Sequence, residues 1–265
     1  MRFSFRKRQP KEFLLPQNPI LVALDGFTRD QAMAHAERLA PLVGGFKVND
    51  LLDTCGVQIV RDLKQFGRLV MADPKIYDTP KTVANRAAAY CDPQTGVGAS
   101  LVTVHASAGV DALVAAVQSD GHEGDTHSIL AITVLTSFDE EGCQEVYGHP
   151  TKAMVLRFAR WAALAGCHGI VCSGQELGLL AKHPELKRLK RVVPGISPAW
   201  FQAELKDQKR TMTPKEALDA GADYLEIGRA LFEKGDPAQN AQRILEEIGF
   251  DPTARGGGCG MGDDA

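Results

Sequence analysis

Eight times along the chain a short run of β-branched and apolar residues is followed by a longer stretch of helical period. The runs are ILVALD (20–25), GFKV (45–48), RLVMAD (68–73), SLVTVHA (100–106), ILAITVL (129–135), GIVCS (169–173), RVVPG (191–195) and DYLEIG (223–228). Their starts recur at roughly 30-residue intervals, the size of one βα unit. A sheet whose strands alternate with helices is covered on both faces and has parallel strands. Eight such units in 265 residues predict an α/β chain folded as a single-domain (β/α)8 TIM barrel. The alternative, a doubly wound open sheet, expects a GxGxxG turn after the first strand, where this chain has ALDGFTRD. Helices are expected over TRDQAMAHAERLAPLV with Thr28 as N-cap, over TVANRAAAY, TKAMVLRFARWAALAG and PAQNAQRILEEIG.

No linker interrupts this series, so the barrel is expected to occupy residues 19–250, with a basic N-terminal arm over 1–18 and a glycine-rich flexible tail over 251–265. Hydrophobic residues make up 44%, charged residues 24%, and the formal net charge is −3, which gives no generic attraction to nucleic acid or to a membrane. No apolar run reaches the length of a membrane span, and MRFSFRKRQPKEFLLP lacks the apolar core of a secretory signal. The six cysteines form no CxxC pair, so reduced thiols in a cytoplasmic protein are expected and a structural zinc site is not. His35, His122, His127, His149, His168 and His183 show no metal-ligand spacing and read as structural or solvated.

The chemistry gathers where barrel enzymes keep it, at the C-terminal ends of the strands. Asp25, Lys47, Asp73 with Lys75, His105, and Thr133 or Thr136 stand there in succession. The densest group is Asp73-Pro74-Lys75-Ile76-Tyr77-Asp78, a DxKxxD pattern in which Pro74 marks the end of the third strand and strand alternation sets Asp73 and Lys75 on one side. Lys47 on the neighbouring strand reaches the same place. Two ammonium groups interleaved with two carboxylates stay ionised without a metal, because each charge has an opposite neighbour. A purely structural ion network is the alternative, although burying one seldom stabilises a fold.

These residues resemble the orotidine 5'-monophosphate decarboxylase family. VALD, FKV, ADPKIYDTPKTV, VTVHASAG, LAITVLTS, VVPGIS and DQKRTMTPKEALDAGADYLEIGRALF follow one another as that family's motifs do, from about Pro19 to Ile248. The resemblance implies conversion of orotidine 5'-monophosphate to uridine 5'-monophosphate and CO2 in de novo pyrimidine synthesis, in a homodimer, with no cofactor and no metal. It makes Lys75 the proton donor to C6 and Asp73 the carboxylate set against that of the substrate. Lys47 and Asp25 become ribose contacts, with Lys47 also holding Asp73. Asp78 and Thr82 match residues lent to the partner subunit's site. Thr136 or Ser137 matches the reader of the pyrimidine amide edge, Gly228 and Arg229 the phosphate site, and Gln208 the glutamine that closes over it.

The chain departs from the family pattern at Asn49, where glycine is usual, at Tyr77 and Thr79, where histidine and isoleucine are frequent, and at Ser197, where many bacterial members place an arginine against the phosphate. The Ser197 change shifts the phosphate's burden onto Arg229, Gln208 and backbone amides. Two other functions compete. A magnesium-dependent sugar-phosphate decarboxylase or aldolase shares the DxKxxD pattern, but LAITVLTS and DQKRTMTP favour a nucleotide. A noncatalytic nucleotide binder does not need Lys47, Asp73, Lys75 and Asp78 together.

Overall fold

The computed structural model describes residues 18–91, 97–119, 128–202 and 211–252. Among them β1 (Ile20–Ala23), β2 (Gly45–Val48), β3 (Leu69–Ile76), β4 (Leu101–His105), β5 (Ser128–Ile132), β6 (Gly169–Val171), β7 (Lys190–Val193) and β8 (Tyr224–Ile227) each pair in parallel with the next. β8 pairs with β1, so the sheet closes into the expected barrel. The helices run α1 (Arg29–Leu39), α2 (Asp50–Cys55), α3 (Gln58–Lys64), α4 (Pro80–Cys91), α5 (Val110–Ser119), α6 (Glu140–Tyr147), α7 (Thr151–Ala165), α8 (Leu177–Ala181), α9 (Ala199–Gln202), α10 (Pro214–Asp219), α11 (Arg229–Phe232) and α12 (Pro237–Ile248). None of the described helices is long and apolar enough to cross a membrane. The expected arm, apart from Asn18, and nearly all of the expected tail lie outside the described residues, as do His122, His127 and Cys259.

Alternation divides the apolar strand residues between two cores. Leu21, Met71, Leu101, Leu130, Val192 and Tyr224 fill the barrel interior. Ile20, Val22, Phe46, Val70, Val102 and Ile129 face outward and join Leu39, Ile59, Leu63, Ala87, Leu113, Phe158 and Ile244 beneath the helices. The interior layer is a plug of side chains, so polar residues one step further along the strands form the floor of an open cup. Local signals agree with this layout. Thr28 caps α1 in a reciprocal capping box with Gln31, and Pro41 leads the 3₁₀ turn that follows that helix. Asn18 anchors the start of β1, accepting from the Ile20 amide at 3.0 Å and donating to the Leu42 carbonyl at 2.7 Å.

The third strand differs from the expectation in a way that matters. It does not stop at Pro74 but continues to Ile76, with a register shift against β4 between Ala72 and Ile76. Pro74 lacks the N–H that the ladder needs, and Lys75 takes a left-handed backbone, φ 45°. Its amide donates to Thr103 Oγ1 at 3.1 Å, and pairing resumes at Ile76 opposite Val104.

Close strand packing also fixes Gly45. A Cβ there would lie 2.5 Å from the Leu69 carbonyl oxygen and 2.9 Å from Leu21 Cδ2. Gly45→Ala is therefore expected to cost about 1–3 kcal/mol, measured as a fall in urea midpoint. Gly178→Ala is the control, because nothing lies within 4 Å of an added Cβ at that helical position; its midpoint is expected to hold or rise.

Candidate active site

The buried Lys47 ammonium lies among three carboxylates: Asp25 Oδ2 at 2.5 Å, Glu226 Oε1 at 3.0 Å and Asp73 Oδ2 at 3.8 Å. Burial alone would pull this ammonium's pKa down, but Glu226, Asp25 and Asp73 together reverse that and hold it above the ordinary lysine range. Lys75 Nζ in turn contacts Asp73 Oδ2. Charges therefore alternate from Asp25 through Lys47 and Asp73 to Lys75, whose side chain keeps 37% of its exposure at the mouth of the barrel.

Asp73 is the fixed point of this row. Its Oδ1 accepts from Thr103 Oγ1 at 2.7 Å and its carbonyl accepts from Asn49 Nδ2 at 2.6 Å. Thr103 thus orders two groups at once, because its hydroxyl also receives the Lys75 amide. Asp73 and Lys75 converge as expected, though by the left-handed kink at Lys75 and not by plain strand alternation. His105, at the end of β4, has a buried Nδ1 with no hydrogen-bond partner among the described residues, and Tyr77 meets its ring edge-on at 6.1 Å. Burial and then Lys75 push this imidazole's pKa down, against the pull of Asp73, so it stays neutral beside the cluster.

The other expected site residues are placed differently. Asp78 lies off the cluster, exposed on the turn after β3, where its Oδ1 accepts from the Thr79 amide at 2.7 Å. Within this chain the carboxylates around the two lysines are therefore Asp25, Asp73 and Glu226, in place of an Asp73 and Asp78 pair. Thr82 is half-buried one turn on, receiving the Thr79 hydroxyl at 3.4 Å. Thr136 and Ser137 are exposed on the connection between β5 and α6. Thr133 is buried and its hydroxyl donates to the Val171 carbonyl at 2.8 Å, so it secures β5 to β6. Gln208 lies outside the described residues.

Gly228 and Arg229 line a cavity of about 180 Å³ together with Ser197, Gly195, Phe201 and Glu226. The Arg229 guanidinium is half-exposed, with Nε 4.0 Å from Glu233 Oε1. Buried Cys167 and Cys172 flank β6, and burial pushes both thiols up to about 12, which leaves them unreactive. Among the described residues no three His, Cys, Asp or Glu side chains are grouped to hold a metal ion.

Sequence reasoning missed Thr103 and Glu226. Thr103 gave no signal, since threonine is ordinary in a strand. Glu226 was detectable: it is the one charged residue inside the apolar run YLEIG, and strand parity sets it on the side of Tyr224, toward the barrel interior.

Comparisons with known proteins agree with this geometry. Residues 18–244 match the family described as orotidine 5'-phosphate decarboxylase / HUMPS. The orotidine 5'-phosphate decarboxylase of Pseudomonas paraeruginosa is 38% identical over 237 residues, covering 88% of this chain and 98% of its own. That of Syntrophomonas wolfei is 37% identical over 243 residues with the same coverage. The crystal structure of orotidine 5'-phosphate decarboxylase from Lactobacillus acidophilus superposes with a TM-score of 0.72 at 27% identity, covering 87% of this chain and 99% of that one. With its barrel, its Lys47–Asp73–Lys75 row and these relatives, the chain belongs to the orotidine 5'-phosphate decarboxylase / HUMPS family.

Proposed function

We propose that this chain is a cofactor-independent carboxy-lyase that converts orotidine 5'-monophosphate to uridine 5'-monophosphate and CO2 in pyrimidine synthesis, as a cytoplasmic homodimer. The observation that carries this reading is the Lys75 ammonium, presented at the barrel mouth by a kinked strand and held against a buried, hydrogen-bonded Asp73. When the bond from C6 to the carboxyl carbon breaks, CO2 departs and its electron pair stays on C6 with little delocalisation. A fixed cation beside C6 stabilises that pair, and a proton passing from Lys75 Nζ to C6 completes the product. The lysine then regains a proton from solvent.

One lysine is not sufficient. A unit charge pair at 4 Å is worth about 4 kcal/mol at an effective dielectric of 20, whereas enzymes lower barriers by about 8–23 kcal/mol. The remainder must come from binding energy at a distance, which offsets placing the substrate carboxylate near Asp73. In this reading the phosphate enters the cavity at Gly228 and Arg229, with Gln208 closing over it. Lys47 and Asp25 take the ribose hydroxyls, and Thr136 or Ser137 reads the pyrimidine. Asp78 and Thr82 serve the partner's site, which fits the exposed position of Asp78 away from its own cluster.

Four measurements test these roles. Purified protein is expected to deplete the orotate absorbance of orotidine 5'-monophosphate equally well in excess EDTA, and Lys75→Ala to lower turnover by at least about 10²–10⁴-fold without loss of the folded baseline. Loss of activity on chelation, restored by magnesium, would instead favour the enediolate chemistry of a sugar-phosphate enzyme. Mixing inactive Lys75→Ala and Asp78→Ala chains is expected to regenerate activity at about a quarter of all sites after subunit exchange, because about half the dimers are mixed and each carries one intact site. No recovery above the average of the two variants would assign Asp78 to its own chain. Thr103→Val is expected to reduce kcat by about 10–100-fold with a smaller change in KM, since Asp73 and Lys75 lose their common support. Thr103→Ser should restore most of the loss; if valine and serine behave alike, the hydroxyl has no part in positioning.

A further inference from the structure

Glu226 is the unexplained member of the site. Its Oε1 receives Lys47 at 3.0 Å, and the same carboxyl lines the cavity with Gly228, Arg229 and Ser197. The side chain keeps 14% of its exposure, directed into that cavity from a strand otherwise sealed on both sides. Two ammonium groups, Lys47 and Lys75, are set against three carboxylates, Asp25, Asp73 and Glu226. The cluster is thus one negative charge in excess if all are ionised, before any anion arrives.

The groups facing Glu226 set how readily it takes up a proton. β1 brings Asp25 just beyond its end, β2 brings Lys47, β3 brings Asp73 with Lys75 behind it, and β8 itself leads to Arg229. The β7 side contributes Ser197, which carries no charge. Burial raises the Glu226 carboxyl above the ordinary carboxylate range, Asp73 and Asp25 add to the rise, and Lys47 opposes it. A dianion entering beside Glu226 would push in the same direction as the two aspartates.

We propose that Glu226 is a binding residue of the anion cavity that takes up one proton from solvent when a phosphate group enters, so that it meets the ligand as a neutral carboxyl able to donate a hydrogen bond. Its other oxygen keeps accepting from Lys47, and Asp25 and Asp73 remain as that ammonium's charged partners. The inference rests on the reading of this cavity as a phosphate-monoester site, and deepens it: ligand affinity becomes coupled to pH through one group that lies outside the Asp73–Lys75 chemistry.

The probe is inorganic sulfate, a dianion that does not titrate between pH 6 and 9, so any proton taken up belongs to the protein. Calorimetric titration of the full chain, repeated in buffers of different ionisation enthalpy, is expected to show uptake of up to about one proton per site, and a Kd that weakens by up to about tenfold per pH unit where free Glu226 is ionised. Glu226→Gln and Glu226→Val are each expected to abolish the uptake and flatten the pH dependence. Difference infrared spectra of the parent should gain a protonated-carboxyl C=O band on sulfate addition, a signature that needs no variant. Sulfate binding without proton uptake, uptake that persists in either folded variant, a missing carboxyl band, or no saturable sulfate binding would each overturn the assignment. Decarboxylation of orotidine 5'-monophosphate by the same preparation is scored separately. Activity without proton uptake overturns the Glu226 role alone, and proton uptake without activity overturns the substrate alone.

Discussion

A lysine ammonium inside a closed barrel is the constraint on which the site depends. Removing Lys47 from water is costly, and three carboxylates from or just beyond β1, β3 and β8 offset that cost. Those carboxylates are in turn tolerable only because Lys47 is there. Truncating Lys47 would leave Asp73 and Glu226 as largely buried carboxylates stripped of their shared cation, which is why the row is organised around that lysine. Only the barrel's closure makes this possible: β8 lies beside β1, so Glu226 from the end of the chain reaches a lysine near its beginning.

The second requirement is a local break in regular structure. A strand that ran straight through residue 75 would have a full hydrogen-bond ladder to β4. Pro74 removes a donor, Lys75 adopts a left-handed backbone, and the amide thus displaced is received by Thr103. The same hydroxyl donates to Asp73, so the irregularity and the charge pair share one support. The plug of Leu21, Met71, Leu101, Leu130, Val192 and Tyr224 below gives that support a rigid floor. A lysine placed this way loses little freedom when substrate arrives, and that preorganisation makes a single cation effective.

Electrostatics divide the cup into two regions. Around Asp73 and Lys75 opposite charges alternate, while at Glu226 burial and two neighbouring aspartates raise the carboxyl above the ordinary carboxylate range against the pull of Lys47. The neutral His105 imidazole adds no charge to either region. An anion entering near Arg229 therefore encounters a different environment from a carboxylate entering near Asp73, although both belong to one pocket.

Periodicity alone determined the architecture. Eight apolar runs with turn residues between them, each too short to bury itself, have few solutions other than a closed parallel barrel, and each run forms a strand. The DxKxxD segment and Lys47 were also legible, because two cations beside two acids at strand ends have little reason to exist except chemistry. Tertiary structure decided the rest. Whether Asp78 or Asp25 completes the cluster depends on where β3 turns away after its kink, which rests on a hydrogen bond from residue 75 to residue 103. That Thr133 secures β6 while Thr103 supports Asp73 follows from which backbone groups lie opposite each hydroxyl in the register, and no local pattern encodes that. Glu226 becomes part of the site only because the eighth strand closes on the first, a contact between residues about two hundred apart.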